Sequence, residues 1–143
     1  MLIGSYAHTL DPKGRVFVPA KFRDDLGEKF ILSQGIGKCL FVFSAEAWEK
    51  FVGKLTTLPL ADRRAQSFFR LLCASATECD TDKQGRVVIP QRLREYAGLE
   101  KDVLVNGVVN RAEIWSKENW DDFSEAANDG FEETLEKLME LGI

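Results

Sequence analysis

The chain has 143 residues, of which 45% are apolar and 29% charged, the proportions of a folded soluble protein. No apolar run approaches the roughly 20 residues that span a bilayer, and Met1–Tyr6 lacks the basic start and apolar stretch of a signal peptide, so a cytoplasmic protein without membrane contact is expected. The net charge of −4 is uneven: Lys117–Ile143 carries nine acids and two bases, while Met1–Ser116 carries fourteen acids and seventeen bases. Phosphate binding depends on local basic clusters rather than totals, so this balance permits a nucleic-acid partner.

In chain order, Tyr6–Leu10 reads as a strand. Asp11-Pro12-Lys13-Gly14 has turn chemistry, with Asp first, φ fixed by Pro second and Gly last. Arg15-Val16-Phe17-Val18 alternates as a second strand, which predicts a hairpin with the first. Pro19 stops that strand and suits the start of a short helix, Ala20–Leu26, ended by Gly27. Phe30–Ser33 and Cys39–Phe43 form a further hairpin through Gly35 and Gly37. Trp48, Phe51, Val52 and Leu55 make one helical stripe after a Ser44 N-cap. Ala61, Ala65, Phe68, Phe69 and Leu72 make another beyond Pro59.

From residue 82 the pattern begins again. Residues 82–94 read DKQGRVVIPQRLR, matching residues 11–23, DPKGRVFVPAKFR, in Asp, Gly, Arg, Val, Pro and Arg at a shift of 71. Phe30-Ile31-Leu32 then parallels Val103-Leu104-Val105, and Glu46 and Trp48 parallel Glu118 and Trp120. Gly98 ends the second short helix, and Asn106-Gly107 offers a tight turn. The chain is a tandem duplication of a β-β-α-β-β module, a mixed α+β fold. The divisions expected are 1–48 for the first repeat, 49–75 for a helical linker, 76–120 for the second repeat and 121–143 for an acidic helical segment. In the last of these Trp120, Phe123 and Ala127, then Phe131, Leu135 and Leu138, predict two helices broken at Asn128-Asp129-Gly130, their stripes packed in the core.

The repeated block carries the chemistry. Asp11 and Asp82 stand across a turn from Arg15 and Arg86, close enough to brace each guanidinium. A braced arginine loses less rotamer entropy on meeting a phosphate or a guanine edge. Lys13, Lys21 and Arg23, with Lys83, Arg92 and Arg94, add positive charge around the two turns. A single D-x-x-G-R is more often an ordinary turn with a surface ion pair. Its duplication points to a repeating ligand, and double-stranded DNA fits best.

Both motifs, with the linker Leu58–Ala65 and the stretch Gln91–Leu99, resemble the MraZ family of tandem AbrB-like modules, over essentially the whole chain. That resemblance implies two modules interlaced as a swapped-hairpin, double-split β-barrel and assembled as ring-shaped homo-oligomers. It also implies a nucleoid-associated regulator, a repressor of transcription, bound to direct repeats upstream of the division and cell-wall gene cluster. Arg15 and Arg86 would then make the decisive contacts with help from Lys13, although copy two has Gln84 in the place of Lys13.

Other classes fit less well. His8 is the only histidine and reads as an ordinary strand residue. No Ser or Cys has a base at recognisable spacing, no glycine loop cradles a phosphate, and no metal cluster is present, so neither an enzyme nor a cofactor is expected. Cys39, Cys73 and Cys79 have no C-x-x-C spacing and read as reduced thiols. The acidic tail invites comparison with antitoxins of the same fold class, whose tails bind a protein. Its spaced aromatic residues instead predict packed helix.

Overall fold

The duplication dictates the order of elements in the computed structural model, which describes residues 1–143. The first copy holds β1 (Ser5–Thr9), β2 (Arg15–Phe17), α1 (Ala20–Leu26), β3 (Lys29–Gln34) and β4 (Leu40–Ser44). Two helices follow, α2 (Ala45–Leu55) and α3 (Arg63–Ser75). The second copy holds β5 (Thr77–Asp80), β6 (Arg86–Val88), α4 (Gln91–Ala97), β7 (Asp102–Gly107) and β8 (Ala112–Ser116), and the chain ends in α5 (Lys117–Asp129) and α6 (Phe131–Glu140).

Local chemistry sets the boundaries. Ser44 Oγ accepts the Ala47 N–H at 3.1 Å to cap α2, as expected, and its counterpart Ser116 accepts the Asn119 N–H at 3.0 Å to cap α5. Such caps satisfy one of the orphan donors of a helix start and contribute about 1 kcal/mol each. Asp62 caps α3 through Ala65, so Ala61 lies before the helix rather than in its stripe. Phe22 and Leu26 of α1, like Leu93 and Ala97 of α4, recur at i and i+4 and are buried. Gly98 ends α4 with φ +65°, the left-handed conformation that glycine adopts without a Cβ clash.

The strands pair between the copies. A six-stranded sheet runs in the order β1-β7-β8-β4-β3-β5, and a separate two-stranded ribbon joins β2 to β6. The hairpin expected between β1 and β2 is therefore not formed. Its turn is present, with Gly14 N–H on Asp11 O at 2.9 Å and Asp11 N–H on Arg15 O at 3.0 Å. Beyond that turn, β1 follows β7 from Ser5↔Asn106 to Thr9↔Asp102, while β2 meets β6 at Val16↔Val87. β1 and β2 thus each leave the neighbour that the turn joins to them and pair with a strand of the other copy. The expected β3–β4 hairpin does form, as does its copy-two equivalent, β7–β8. No closed barrel results.

Asn106-Gly107 is not the turn between β7 and β8. Both residues pair within the ladder, opposite Glu113 and Ala112, and the turn lies at Val108–Arg111. Gly107 answers a different need. Its N–H donates to Gly4 O at 2.8 Å, and a Cβ at this position would overlap the Leu2–Ile3 backbone laid across it.

Two apolar layers hold the sheet. The inner one joins Val16, Val18, Phe22, Phe30 and Leu32 of copy one to Val87, Ile89, Leu93, Val103 and Val105 of copy two. The outer one gathers Cys39, Phe41, Phe43 and Trp115 under α2, α3 and α5, with Phe43 stacked on Phe51 at 5.1 Å and Trp115 against Trp120 at 5.3 Å. Glu113 is buried within this layer but satisfied, accepting from Trp115 Nε1 and Arg111 Nε at 3.0 Å each. The two C-terminal helices form as expected, with the break at Gly130. The core packing expected of them is confined to Trp120 on α5: Phe123 and Ala127 are exposed, as are Phe131, Leu135 and Leu138 on α6, and neither helix has a buried residue. The contacts of α6 are chiefly with α5.

Candidate nucleic-acid interface

Each D-x-x-x-R turn is a small hydrogen-bonded device. Asp11 Oδ1 accepts the N–H groups of Lys13 at 3.0 Å and Arg15 at 2.8 Å, while Oδ2 accepts Arg15 Nε at 2.6 Å. Asp82 repeats the arrangement, with Oδ1 on the N–H groups of Gln84 and Arg86 and Oδ2 on Arg86 Nε, all at 2.9 Å. One carboxylate thus fixes both the turn backbone and the guanidinium, as the spacing predicts. Each arginine has its Nε engaged, while the terminal nitrogens of the fork make no hydrogen bond within the chain.

Partial desolvation alone would raise the Asp11 carboxyl. The backbone and side-chain hydrogen bonds from Arg15, that residue's charge and the Lys13 N–H outweigh it and hold the group below the usual carboxylate range. For Asp82 the Arg86 N–H is the largest influence, desolvation opposes it, and the remaining bonds again leave the carboxyl lowered.

The ribbon unites the two devices. Val16 and Val87 point inward and are buried, so period-two alternation turns Arg15, Phe17, Arg86 and Val88 outward on a single face. Arg86 Nη1 also lies 4.0 Å from Asp11 Oδ2, across the copies. The turns interlock further: Val18 N–H donates to Gly85 O at 2.9 Å and Ile89 N–H to Gly14 O at 2.8 Å. The guanidinium of Arg94 lies over Gly14 and that of Arg23 over Gly85, where an added Cβ would overlap the first and stand 2.5 Å from Nη1 of the second. Gly14 and Gly85 also hold φ at +78° and +83°, which disfavours any side chain.

The structure therefore brings Arg15, Arg86, Arg23 and Arg94 together with Lys13 and Lys83, the two lysines standing exposed on the turns. Lys21 is exposed on α1. Arg92 lines a shallow pocket with Gln34, Leu71, Ala74 and Ser75, beside α3 rather than the turns. None of these lysines, nor Arg23, Arg92 or Arg94, makes an ion pair within the chain. Sequence reasoning missed Phe17 and Val88, although the alternation in Arg15-Val16-Phe17 already places Phe17 beside the arginine on the outer face. It also treated His8 as unremarkable. The His8 ring lies 6.1 Å from Phe17, its Nε2 is buried without a partner, and desolvation lowers its pKa, favouring the neutral ring.

Elsewhere the chemistry is quiet. Burial pushes the Cys39 thiol up to about 12, with the Glu113 charge adding to it, and pushes Cys79 up to about 11, so neither is a ready thiolate. No group of three or more His, Cys, Asp or Glu side chains is placed to hold a metal ion. No helix is long and apolar enough to cross a membrane.

The profile of the family described as "MraZ protein, putative antitoxin-like" matches twice, over residues 1–71 and 72–141. A transcriptional regulator MraZ of Thermoanaerobacter sp. (strain X514) is 53% identical over 143 residues, covering 100% of both chains. Proteins of the same name from Acetivibrio thermocellus and Carboxydothermus hydrogenoformans are 50% identical over 143 residues and 49% identical over 141, each across at least 99% of both chains. The chain belongs to the MraZ family.

Proposed function

We propose that this protein is a transcription regulator that binds double-stranded DNA at direct repeats in a promoter, with the outward face of the β2–β6 ribbon as its reading surface. The supporting observation is the pair of carboxylate-braced arginines, Arg15 and Arg86, displayed on one two-stranded ribbon. A ribbon of that width fits the major groove, and braced guanidiniums suit bidentate contact with guanine O6 and N7. Lys13, Lys83, Arg23 and Arg94, unpaired around the turns, serve the phosphates on either side. Lys21 and Arg92 lie farther out, where long-range attraction is their contribution. The names of the relatives support regulation of transcription.

The pairing of each copy's strands with the other supports the swapped arrangement expected of AbrB-like modules. The division into two repeats with linking and terminal helices is kept as proposed above. We further assign a ring-shaped homo-oligomer, supported by apolar side chains left exposed on α3, α5 and α6, among them Leu71, Phe123, Phe131 and Leu135. A ring would set several ribbons against successive repeats, each adding to the effective concentration of the next. Repression of the division and cell-wall gene cluster, including the protein's own promoter, at the nucleoid is the setting this implies.

The test is fluorescence anisotropy at physiological salt with a duplex carrying the repeats upstream of that cluster, against a shuffled duplex of equal length and composition. Binding at least about tenfold tighter to the repeats is expected, a threshold well below the roughly 10³-fold or greater preference usual for specific sites. Equal affinity would defeat the proposal.

A further inference from the structure

Two of the four outward side chains on the ribbon are apolar. Register sets Arg15 opposite Val88 and Phe17 opposite Arg86, so arginine and apolar residue alternate both along and across the strands. Phe17 is 45% exposed and Val88 57%. An exposed aromatic ring between two guanidiniums is poorly placed for hydration alone and well placed to be covered by a ligand. The ring is also steadied from two sides. The Arg86 Cζ lies 6.0 Å from its centroid, and the His8 ring lies 6.1 Å away at 42°.

The copies differ at this point. The 71-residue shift puts Cys79 in the place of His8 and Val88 in the place of Phe17. Beside that smaller pair lies a cleft of about 320 Å³, lined by Cys79, Asp82, Arg86 and Val88 among others. The two halves of the ribbon are therefore related in backbone and unequal in apolar reach.

Facing side chains on neighbouring strands stand about 4.5–5.5 Å apart, between one and two of the ~3.4 Å rises of stacked base pairs. A residue across from an arginine thus reaches a base pair one or two steps from the one that the arginine holds. Thymine displays a C5 methyl in the major groove that cytosine lacks, and apolar side chains read it. Resting on the reading of this face as a DNA-binding surface, the geometry points to Phe17 as a specificity-determining residue. It packs on the C5 methyl of a thymine one or two base pairs from the guanine held by Arg86. Val88 makes a weaker contact of the same kind beside Arg15.

Replacing thymines of the repeat duplex one at a time by deoxyuridine removes only the methyl and leaves the protein untouched. The expected result is a position at which deoxyuridine weakens binding of the full chain about fourfold, the effect of one buried methyl. At that position Phe17→Ala should bind the thymine and uracil duplexes equally, while Phe17→Leu, which keeps an apolar contact, and Val88→Ala should still distinguish them.

Three results would overturn the inference and leave DNA binding standing. Deoxyuridine has no effect at any position, or the uracil penalty survives in Phe17→Ala. Alternatively, Phe17→Ala alters the assembly mass in light scattering with methyl sensitivity intact, which would assign the ring to a contact between copies. Failure of the unmodified duplex to outcompete a shuffled one would overturn the DNA reading and this inference together.

Discussion

Arg86 Nη1, in the second copy, lies 4.0 Å from Asp11 Oδ2, in the first, and the same oxygen accepts Arg15 Nε at 2.6 Å. One carboxylate therefore hydrogen-bonds one guanidinium and stands at ion-pair distance from the other, whereas Asp82 pairs with Arg86 alone. The two turns form a single site with a built-in asymmetry.

That asymmetry predicts unequal effects of the two acids on DNA binding. Asp11→Asn should weaken binding to the repeat duplex more than Asp82→Asn, since it loosens both arginines. Arg15→Ala and Arg86→Ala should each cost about 1–3 kcal/mol, and their double variant should depart from additivity because they share a partner. A double-mutant cycle by anisotropy measures all of these.

Lys13 makes a separate prediction. Exposed on its turn and unpaired, it suits a phosphate, so Lys13→Ala should weaken repeat and shuffled duplexes alike and reduce the slope of log K against log salt by about 1. Introducing a lysine at Gln84 should steepen the slope. A salt titration of each variant reads this directly.

Acid should loosen the turns before it unfolds the core. Both aspartates have folded pKa values below their unfolded ones, so their contribution to stability is present above the ordinary carboxylate value and is lost as pH falls from there through the folded values. His8 acts in the same direction: its lowered pKa makes the fold bind its proton less readily than the unfolded chain, so stability falls as pH drops below about 6.5. Thermal melts across pH should show the gap between wild type and the Asp11→Asn, Asp82→Asn double variant closing toward pH 3. His8→Phe should remove the decline in the higher part of the range.

Much of this arrangement was legible in the chain. The duplication, the β3–β4 hairpin, the Ser44 cap and the aspartate brace stand where spacing predicts them, and the helices do so apart from Ala61, which lies before α3. Choice of partner was not legible. Nothing local in Tyr6–Leu10 tells it to leave Arg15–Val18 for a strand some hundred residues on, because the ladder is made by backbone groups that any extended partner offers. Gly107 misled for a related reason: Asn-Gly is a strong local turn signal, yet the glycine is needed by the Leu2–Ile3 backbone that lies over it. Phe17 was readable from alternation but is uncharged, and a search for phosphate-binding groups passes over it.

Gly107→Ala should accordingly act on the N-terminal arm. The added Cβ displaces Leu2 and Ile3, breaking the paired bonds of Leu2 with Val109. Faster amide exchange at Leu2 and Val109, with the β3–β4 amides unchanged, is the expected signature. Gly14→Ala and Gly85→Ala should each destabilise by about 1 kcal/mol or more through their positive φ.

The exposed face of α6 predicts an assembly effect. Phe131→Ser with Leu135→Ser should reduce the oligomer mass in light scattering while circular dichroism stays near wild type, since neither side chain is buried within the chain.

The most direct test compares the Arg15→Ala, Arg86→Ala double variant with wild type on repeat and shuffled duplexes at physiological salt. The account predicts a folded, oligomeric protein that retains weak, salt-sensitive binding and no longer prefers the repeats. A double variant that still selects the repeats as strongly as wild type would contradict it.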